Sequence, residues 1–438
     1  MAKTIARSTS DTTAPPDQLA RRPPSRLWHL LLSAGTGDVA QFRGWDRLIV
    51  WRSHATAAER RHAVKRFLKL PARAAKLAYA DVKAFGREVE KRSGVSRGRQ
   101  FSQLWWLRAR HGMDTQPYLD YRLYRPDRWP RAADYVAGKE FFRVIRYLIA
   151  EHGSSSDAPV LHDKRDFDGW CREHGFPSVS TLMEWHEGEV VHSNLAGGNL
   201  PAGDLFSKPA DATGGHGTSR WLYDGRGGYV GADGRARQPA ELMEELAELS
   251  RTLPGRYGRL SRRILLQPHL HNHHALRPLT SGALSTIRVV TYRFPRGEPQ
   301  LLFAAYRLPV GNAPADNFHY GGIVAPVDLA TGRLGPPIRR EGRVVVDVER
   351  HPDTGAVIAG HQLPHWDETV RLVLRAHATL RRVVTVGWDV APCEDGPVLV
   401  EGNLASDPDI AQAPSGVPLG DTPFVRCINA HVREHFGL

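Results

Sequence analysis

The stretch "GWDVAPCEDGPVLVEGN", residues 387 to 403, carries Asp389 on one apolar run and Glu401 and Asn403 on the next, with Cys393-Glu394-Asp395-Gly396 between them. Val384 to Val390 and Pro397 to Val400 are rich in β-branched residues, and Glu394, Asp395 and Gly396 have turn chemistry, so the stretch reads as a β-hairpin. Folding it about Asp395 sets Asp389 opposite Glu401, and Asn403, two residues on, shares the face of Glu401. Like charges opposite each other destabilise a sheet unless something positive sits between them. Two readings fit: a site for a hard cation such as Mg²⁺, which prefers carboxylate and amide oxygens, or a solvated hairpin end with acids on its wet face. The rest of the chain has to choose.

A chain of 438 residues with 41% hydrophobic composition can bury a large core and has the length of two or three domains. Cys171, Cys393 and Cys427 are odd in number and lack metal spacing, which points to a reducing compartment rather than a disulfide framework. The longest apolar run, "LWHLLLSAG" at 27 to 35, is too short to span a membrane, so a soluble cytoplasmic protein is expected. Residues 1 to 100 hold 21 Lys and Arg against 8 Asp and Glu, a surplus larger than the whole chain's net charge of +12. Residues 1 to 25 are polar and Pro-rich and read as a disordered basic arm. Residues 26 to 155 read as a helical N-terminal region. Within it, Ala57 to Arg92 has helical periodicity broken at Pro71, and "GKEFFRVIRYLIAEHG" aligns Phe141, Val144, Ile145, Leu148 and Ile149 on one face, with Gly153 as its stop. The basic helices suit nucleic acid, an acidic partner or an anionic membrane, or are simply a solvated face of an Arg-rich chain.

After the Ser-rich break at 154 to 156, residue types that handle phosphate accumulate. Asp163 caps a helix burying Phe167, Trp170 and Cys171, which puts Lys164 in its first turn, against the helix dipole and suited to an anion. "LFSKPADATGGHGTSRWLY" sets Lys208 on a strand before a loop whose Gly214, Gly215 and Gly217 let backbone N–H groups approach an anion. Ile264 to Gln267 reads as a buried strand leading into His269, His271, His273 and His274, which have no acidic or Cys partner near in sequence for a zinc site. "STIRVVTYRF" and "PQLLFAAYRL" read as adjacent antiparallel strands bearing Arg288 and Arg307, and Asn317 precedes Gly321-Gly322.

This order of features over residues 156 to 438 resembles the ATP-grasp superfamily, most of all its sugar-transfer-associated branch, whose texture matches "LLQPHLHNH", "TIRVVTYR", "DNFHYGGI" and "GWDVAPCEDGPVLVEGN". The resemblance implies an α+β fold in which two subdomains, 156 to 266 and 267 to 438, clasp ATP. It implies Mg²⁺, with Mn²⁺ as a substitute, on Asp389, Glu401 and Asn403. It implies nucleotide contacts from Lys164 and Lys208, a phosphate lid over Gly214, Gly215, His216 and Gly217, and a hinge at Leu266, Gln267 and His269. Pro268 departs from the Glu common in relatives and has no N–H to offer adenine. Arg288, Arg307 and Asn317 fall at the place of phosphoryl transfer.

The expected function is an ATP-dependent ligase of biosynthesis that activates a small-molecule carboxylate as an acyl phosphate for an amine or thiol, releasing ADP and phosphate. Two alternatives stand beside it: a phosphotransferase to a hydroxyl, and a binding protein acting through the basic N-terminal region. No membrane span and no nucleic-acid partner are expected for the ligase, and a homo-oligomer is compatible with it.

Overall fold

The computed structural model describes residues 37–53, 56, 58–60, 69–152, 159–210, 217–253, 262–280, 283–311, 318 and 321–438. The expected arm, the run at 27 to 35, the Ser-rich break, Gly153, Gly214, Gly215, His216 and Asn317 lie outside the described residues.

Five helices open the described chain: α1 Asp38–Ser53, α2 Leu70–Ser93, α3 Arg97–Trp106, α4 Thr115–Asp120 and α5 Gly138–His152. Pro71 lies in the first turn of α2, where the missing N–H has no helical partner to lose, so the break in the periodicity is a helix start. Ala74, Ala78, Val82, Phe85 and Val89 then recur along one buried face. Phe141, Val144, Ile145 and Leu148 of α5 bury against Phe42 and Trp45 of α1, as their spacing predicts.

The remainder is built on two seven-stranded sheets whose neighbouring strands all run antiparallel. The first holds β1 Met183–His186, β2 Glu189–Ser193, β3 Leu205–Pro209, β4 Ser219–Tyr223, β5 Tyr229–Val230, β6 Ala236–Arg237 and β7 Arg263–Pro268, in the order β2-β1-β7-β3-β4-β5-β6. The second holds β8 Thr286–Tyr292, β9 Gln300–Leu308, β10 Ile323–Val327, β11 Ile338–Glu341, β12 Val344–Asp347, β13 Thr385–Cys393 and β14 Gly396–Asn403, in the order β12-β11-β10-β9-β8-β13-β14. Three further helices place the site: α6 Lys164–Glu173, α7 Pro239–Thr252 and α8 Trp366–Thr379. No helix among the described residues is long and apolar enough to cross a membrane.

Each sheet packs an apolar face on helices. Leu205, Trp221, Ile264 and Leu266 of the first pack on Leu242 and Leu246 of α7. In the second, Ile287, Val289, Tyr306, Trp388, Val390 and Leu399 pack on Phe167, Trp170 and Cys171 of α6 and Val373 and Ala376 of α8. Trp170 stacks on Trp388 with ring centroids 6.2 Å apart. The opposite face of this sheet carries Arg288 and Asp389, and further out Ala305, Val324 and Ile338 bury against α2 and the chain that follows it. The N-terminal helices therefore rest on the sheet face that holds the site residues.

The hairpin of β13 and β14 pairs Asp389 with Glu401, as expected, but by a different route. The turn is only Glu394-Asp395, closing Cys393 on Gly396, and the ladder then runs Pro392–Pro397, Ala391–Val398, Val390–Leu399 before slipping by one residue. Val400 is the extra residue of a β-bulge. In a regular ladder Asp389 would face Val400, and Glu401 and Asn403 would turn into the core with Leu399. The bulge reverses the alternation, so Gly402 lies core-side beside Trp388 and Glu401 and Asn403 share the face of Asp389.

Gly387, opposite Asn403, has no room for a side chain: a Cβ there would lie 2.6 Å from Ser406 Cβ. Gly387→Ala is expected to cost about 1–3 kcal/mol of stability through overpacking. Gly169→Ala, in α6 with open space around it, is expected to be neutral or stabilising by up to ~1 kcal/mol. Thermal unfolding of the two variants checks both; a Gly387→Ala protein as stable as wild type would mean that Ser406 is not fixed where it is described.

Candidate functional site

Arg288 on β8, Asp389 on β13 and Glu401 on β14 stand abreast, each directly opposite the next. Arg288 Nε donates to Asp389 Oδ1 at 2.5 Å and Nη2 to Oδ2 at 3.0 Å, a bidentate pair. Arg307 on β9 reaches the same Oδ2 with Nη2 at 3.0 Å and is steadied by Thr286, whose Oγ1 accepts from Nε at 3.2 Å and from Nη2. Arg288 Nη1 also donates to Ser406 Oγ at 3.3 Å. Burial alone would raise the Asp389 pKa, but the two guanidiniums hold it well below the usual carboxylate range. The positive charge demanded between facing carboxylates is thus present in part as protein arginine.

Asn403 Nδ2 donates to Glu401 Oε1 at 3.1 Å and to Gly387 O at 3.4 Å, which leaves its Oδ1 for another partner. Asp389, Glu401 and Asn403 therefore offer hard oxygens on one face, a set that fits Mg²⁺.

The first sheet contributes Lys208. Along β3, Leu205 and Ser207 point to the α7 core, with Ser207 Oγ accepting from Trp221 Nε1 at 2.9 Å, so Phe206 and Lys208 point the other way. Lys208 is 7% exposed, and among the described residues it has no hydrogen-bond or ion-pair partner. Burial and the neighbouring Lys164 lower its pKa to about 8, against the attraction of Glu401, Asp168 and Asp389. Lys208 therefore lies within electrostatic reach of Asp389 and Glu401. Lys164 lies in the first turn of α6, which Asp163 caps, and donates from Nζ to Ala210 O at 3.0 Å just beyond β3.

The hinge residues turn inward. Leu266 is a core side chain whose carbonyl accepts from Leu182 N, Gln267 Nε2 reaches Val179 O at 3.3 Å and Thr181 Oγ1 at 3.4 Å, and His269 N donates to Asp204 O at 2.8 Å. Gly217 has a φ of 71°, and a Cβ there would lie 2.8 Å from Leu253 and 3.0 Å from Pro209. The fold also supplies what the sequence lacked beside the histidines: Asp204 meets His269 and His271, and Glu394 meets His273 and His274. Sequence reasoning passed over Thr286, Ser406 and the buried Asp168, whose oxygens accept from Thr181 N at 2.9 Å and Ser178 Oγ at 3.3 Å. Thr286 had a readable signal, two residues before Arg288 on the same strand face.

A family model described as sugar-transfer associated ATP-grasp matches residues 145–421. The chain belongs to that family. Among solved structures, this ATP-grasp protein is similar to D-alanine–D-alanine ligase from Bacillus anthracis at 11% identity, covering 63% of this chain and 69% of that one, with a TM-score of 0.35. It is similar to the biotin carboxylase domain of 2-oxoglutarate carboxylase from Hydrogenobacter thermophilus, solved with MgADP, ADP and bicarbonate, at 14% identity, 64% and 46% coverage and a TM-score of 0.35. The L-amino acid ligase from Bacillus licheniformis follows at 12% identity, 62% and 48% coverage and 0.32. Comparison with curated proteins found no match.

The electrostatics of the ATP-grasp site give two expectations. The lowered Lys208 pKa means that the unfolded chain binds the extra proton between pH about 8 and the ordinary value of 10.5, so wild-type stability gains a rising component across that window. Lys208→Met removes that component and stabilises the ligand-free protein at pH 7. The depressed Asp389 pKa has the same sense in a lower window: its contribution is present above the ordinary carboxylate range and fades as pH falls through the folded value. Asp389→Asn, which strands two buried guanidiniums, is expected to cost about 3–5 kcal/mol at pH 7 and less in acid. Denaturant unfolding across pH checks both, and an unchanged slope above pH 8 in Lys208→Met would show that Lys208 is not the buried cation described.

Proposed function

We propose that this ATP-grasp protein is an ATP-dependent ligase that activates a carboxylate substrate as an acyl phosphate and passes the acyl group to an amine or a thiol. One observation carries the reading: Arg288 and Arg307 pair with Asp389 in the row it forms with Glu401, and the buried Lys208 lies within electrostatic reach of both carboxylates and of Lys164. Counting Asp168, four formal cations meet three carboxylates, so the site suits a polyanion better than a bare metal ion.

Asp389, Glu401 and Asn403 would hold Mg²⁺, which supplies charge neutralisation on triphosphate oxygens when bound. Because the surrounding charge is already positive, the ion is expected to enter together with ATP rather than alone. Lys208 and Lys164 bind phosphate oxygens, and the anion beside Lys208 raises its pKa and keeps it charged. Arg288 and Arg307 donate to oxygens where charge grows during transfer, held in place by Asp389, Thr286 and Ser406.

In the proposed reaction a substrate carboxylate oxygen attacks the γ-phosphorus, the bond to the bridging β–γ oxygen breaks, and ADP leaves. The amine nitrogen or thiol sulfur then attacks the acyl carbon, the carbon–oxygen bond to phosphate breaks, and the nucleophile's proton passes to solvent. No enzyme nucleophile is needed. The chain's thiols are poor ones, since burial pushes Cys171 and Cys427 up to about 12 and Cys393 up to about 11.

Two measurements test the reading. With Mg·ATP, a panel of amino, hydroxy and sugar acids, and hydroxylamine in place of the amine, the correct acid should yield a hydroxamate with equal ADP and phosphate. Arg288→Ala should lower that turnover by roughly a hundredfold while weakening nucleotide binding far less. Formation of a stable phosphoester with ADP, no free phosphate and no hydroxamate would make the protein a phosphotransferase. Separately, Glu401→Gln should lose the thermal shift produced by Mg²⁺ with ATP; a variant that keeps the shift and the activity removes Glu401 from the metal set.

A further inference from the structure

A second concave site lies in the N-terminal helical layer, away from the charged row. A cleft of about 580 Å³ opens between α3 and the 3₁₀ turn Trp129–Asp134, walled by Trp105, Trp106 and Trp129. Trp106 and Trp129 meet edge to face, with centroids 5.5 Å apart and planes 65° apart, and both Trp105 and Trp106 remain more than a third exposed. Exposed indoles grouped around one cleft are costly to leave in water and characterise ligand sites.

The polar groups of the cleft are unfinished. Gln103 is 3% exposed; its Oε1 accepts from Tyr118 OH at 2.8 Å, and its Nε2 has no acceptor. A buried amide donor left without an acceptor is destabilising. Arg99, four residues earlier on α3, has no ion-pair partner among the described residues. Ser102 Oγ donates to Arg99 O at 2.9 Å and keeps its lone pairs for a donor from outside. Directly after Trp106 the helix widens into a π-helical turn, Leu107–His111, a form concentrated at functional sites.

We propose that this cleft binds an acidic sugar ring, a uronate or a relative of one. The lining contains no carboxylate, and Arg99 repels cations, so a quaternary ammonium is disfavoured despite the aromatic walls. A pyranose presents a face of C–H bonds whose partial positive charge suits the negative face of an indole. Its carboxylate takes the Arg99 guanidinium and the Gln103 N–H, and a ring hydroxyl donates to Ser102 Oγ. This binding needs nothing from the nucleotide site and stands whether or not the ligase reading does.

The test uses the full chain and three probes, glucuronate, glucose and benzoate, followed by titration calorimetry and ligand-observed saturation-transfer NMR. Glucuronate is expected to bind about tenfold more tightly than glucose, the scale of one hydrogen bond to a charged group, and more tightly than benzoate. Arg99→Ala, on an exposed helix position, should abolish the preference over glucose while leaving the Mg·ATP thermal shift intact. Gln103→Leu should weaken glucuronate more than glucose. The proposal is overturned if benzoate binds more tightly than glucuronate, if no glucuronate binding is measurable, or if binding is indifferent to both Arg99→Ala and Gln103→Leu.

Discussion

A carboxylate held between two guanidiniums organises this molecule. Asp389 is almost wholly buried on the second sheet, accepts two N–H bonds from Arg288, forms an ion pair with Arg307, and ties together three strands, β9, β8 and β13. An isolated charge at that depth would be driven to neutrality; the arginines keep it ionised, and it keeps them extended along the sheet in a single geometry. Thr286, Ser406 and Gly387 serve the same end, two by accepting from the guanidiniums and one by leaving room.

Much of this was legible in the letters because it depended on alternation. The β8–β9 pair, the α6 cap at Asp163, the buried triplet Phe167, Trp170 and Cys171, and the meeting of Asp389 with Glu401 all follow from local periodicity and turn chemistry. The route to that last pairing did not. A two-residue turn and a bulge produce the register that a turn centred on Asp395 would also give, and nothing in "PVLV" distinguishes them. The arginine clamp on Asp389 was less visible still, because it depends on which strand lies beside β13. Arg288 sits a hundred and one residues away in the chain, and only the sheet order makes them neighbours. The acids beside the histidines, Asp204 and Glu394, were hidden for the same reason.

The helix α6 shows how the parts are joined. Its apolar side, Phe167, Trp170 and Cys171, belongs to the core of the second sheet, while Lys164 at its start bonds to Ala210 beyond β3 of the first. A single ten-residue element thus carries a phosphate-binding candidate from one sheet's core to the end of an interior strand of the other, and Lys208 on that strand has no partner of its own among the described residues.

The bulge at Val400 has a meaning for how such chains vary in length. Because Val390 already pairs with Leu399 and Asp389 with Glu401, a strand lacking Val400 would close into a regular ladder with every site residue facing as before. Strand β14 therefore has one residue of slack, and chains that differ by a single gap there can present the same two carboxylates and the same amide. Strand β13, paired without interruption to β8 on its other side, has none.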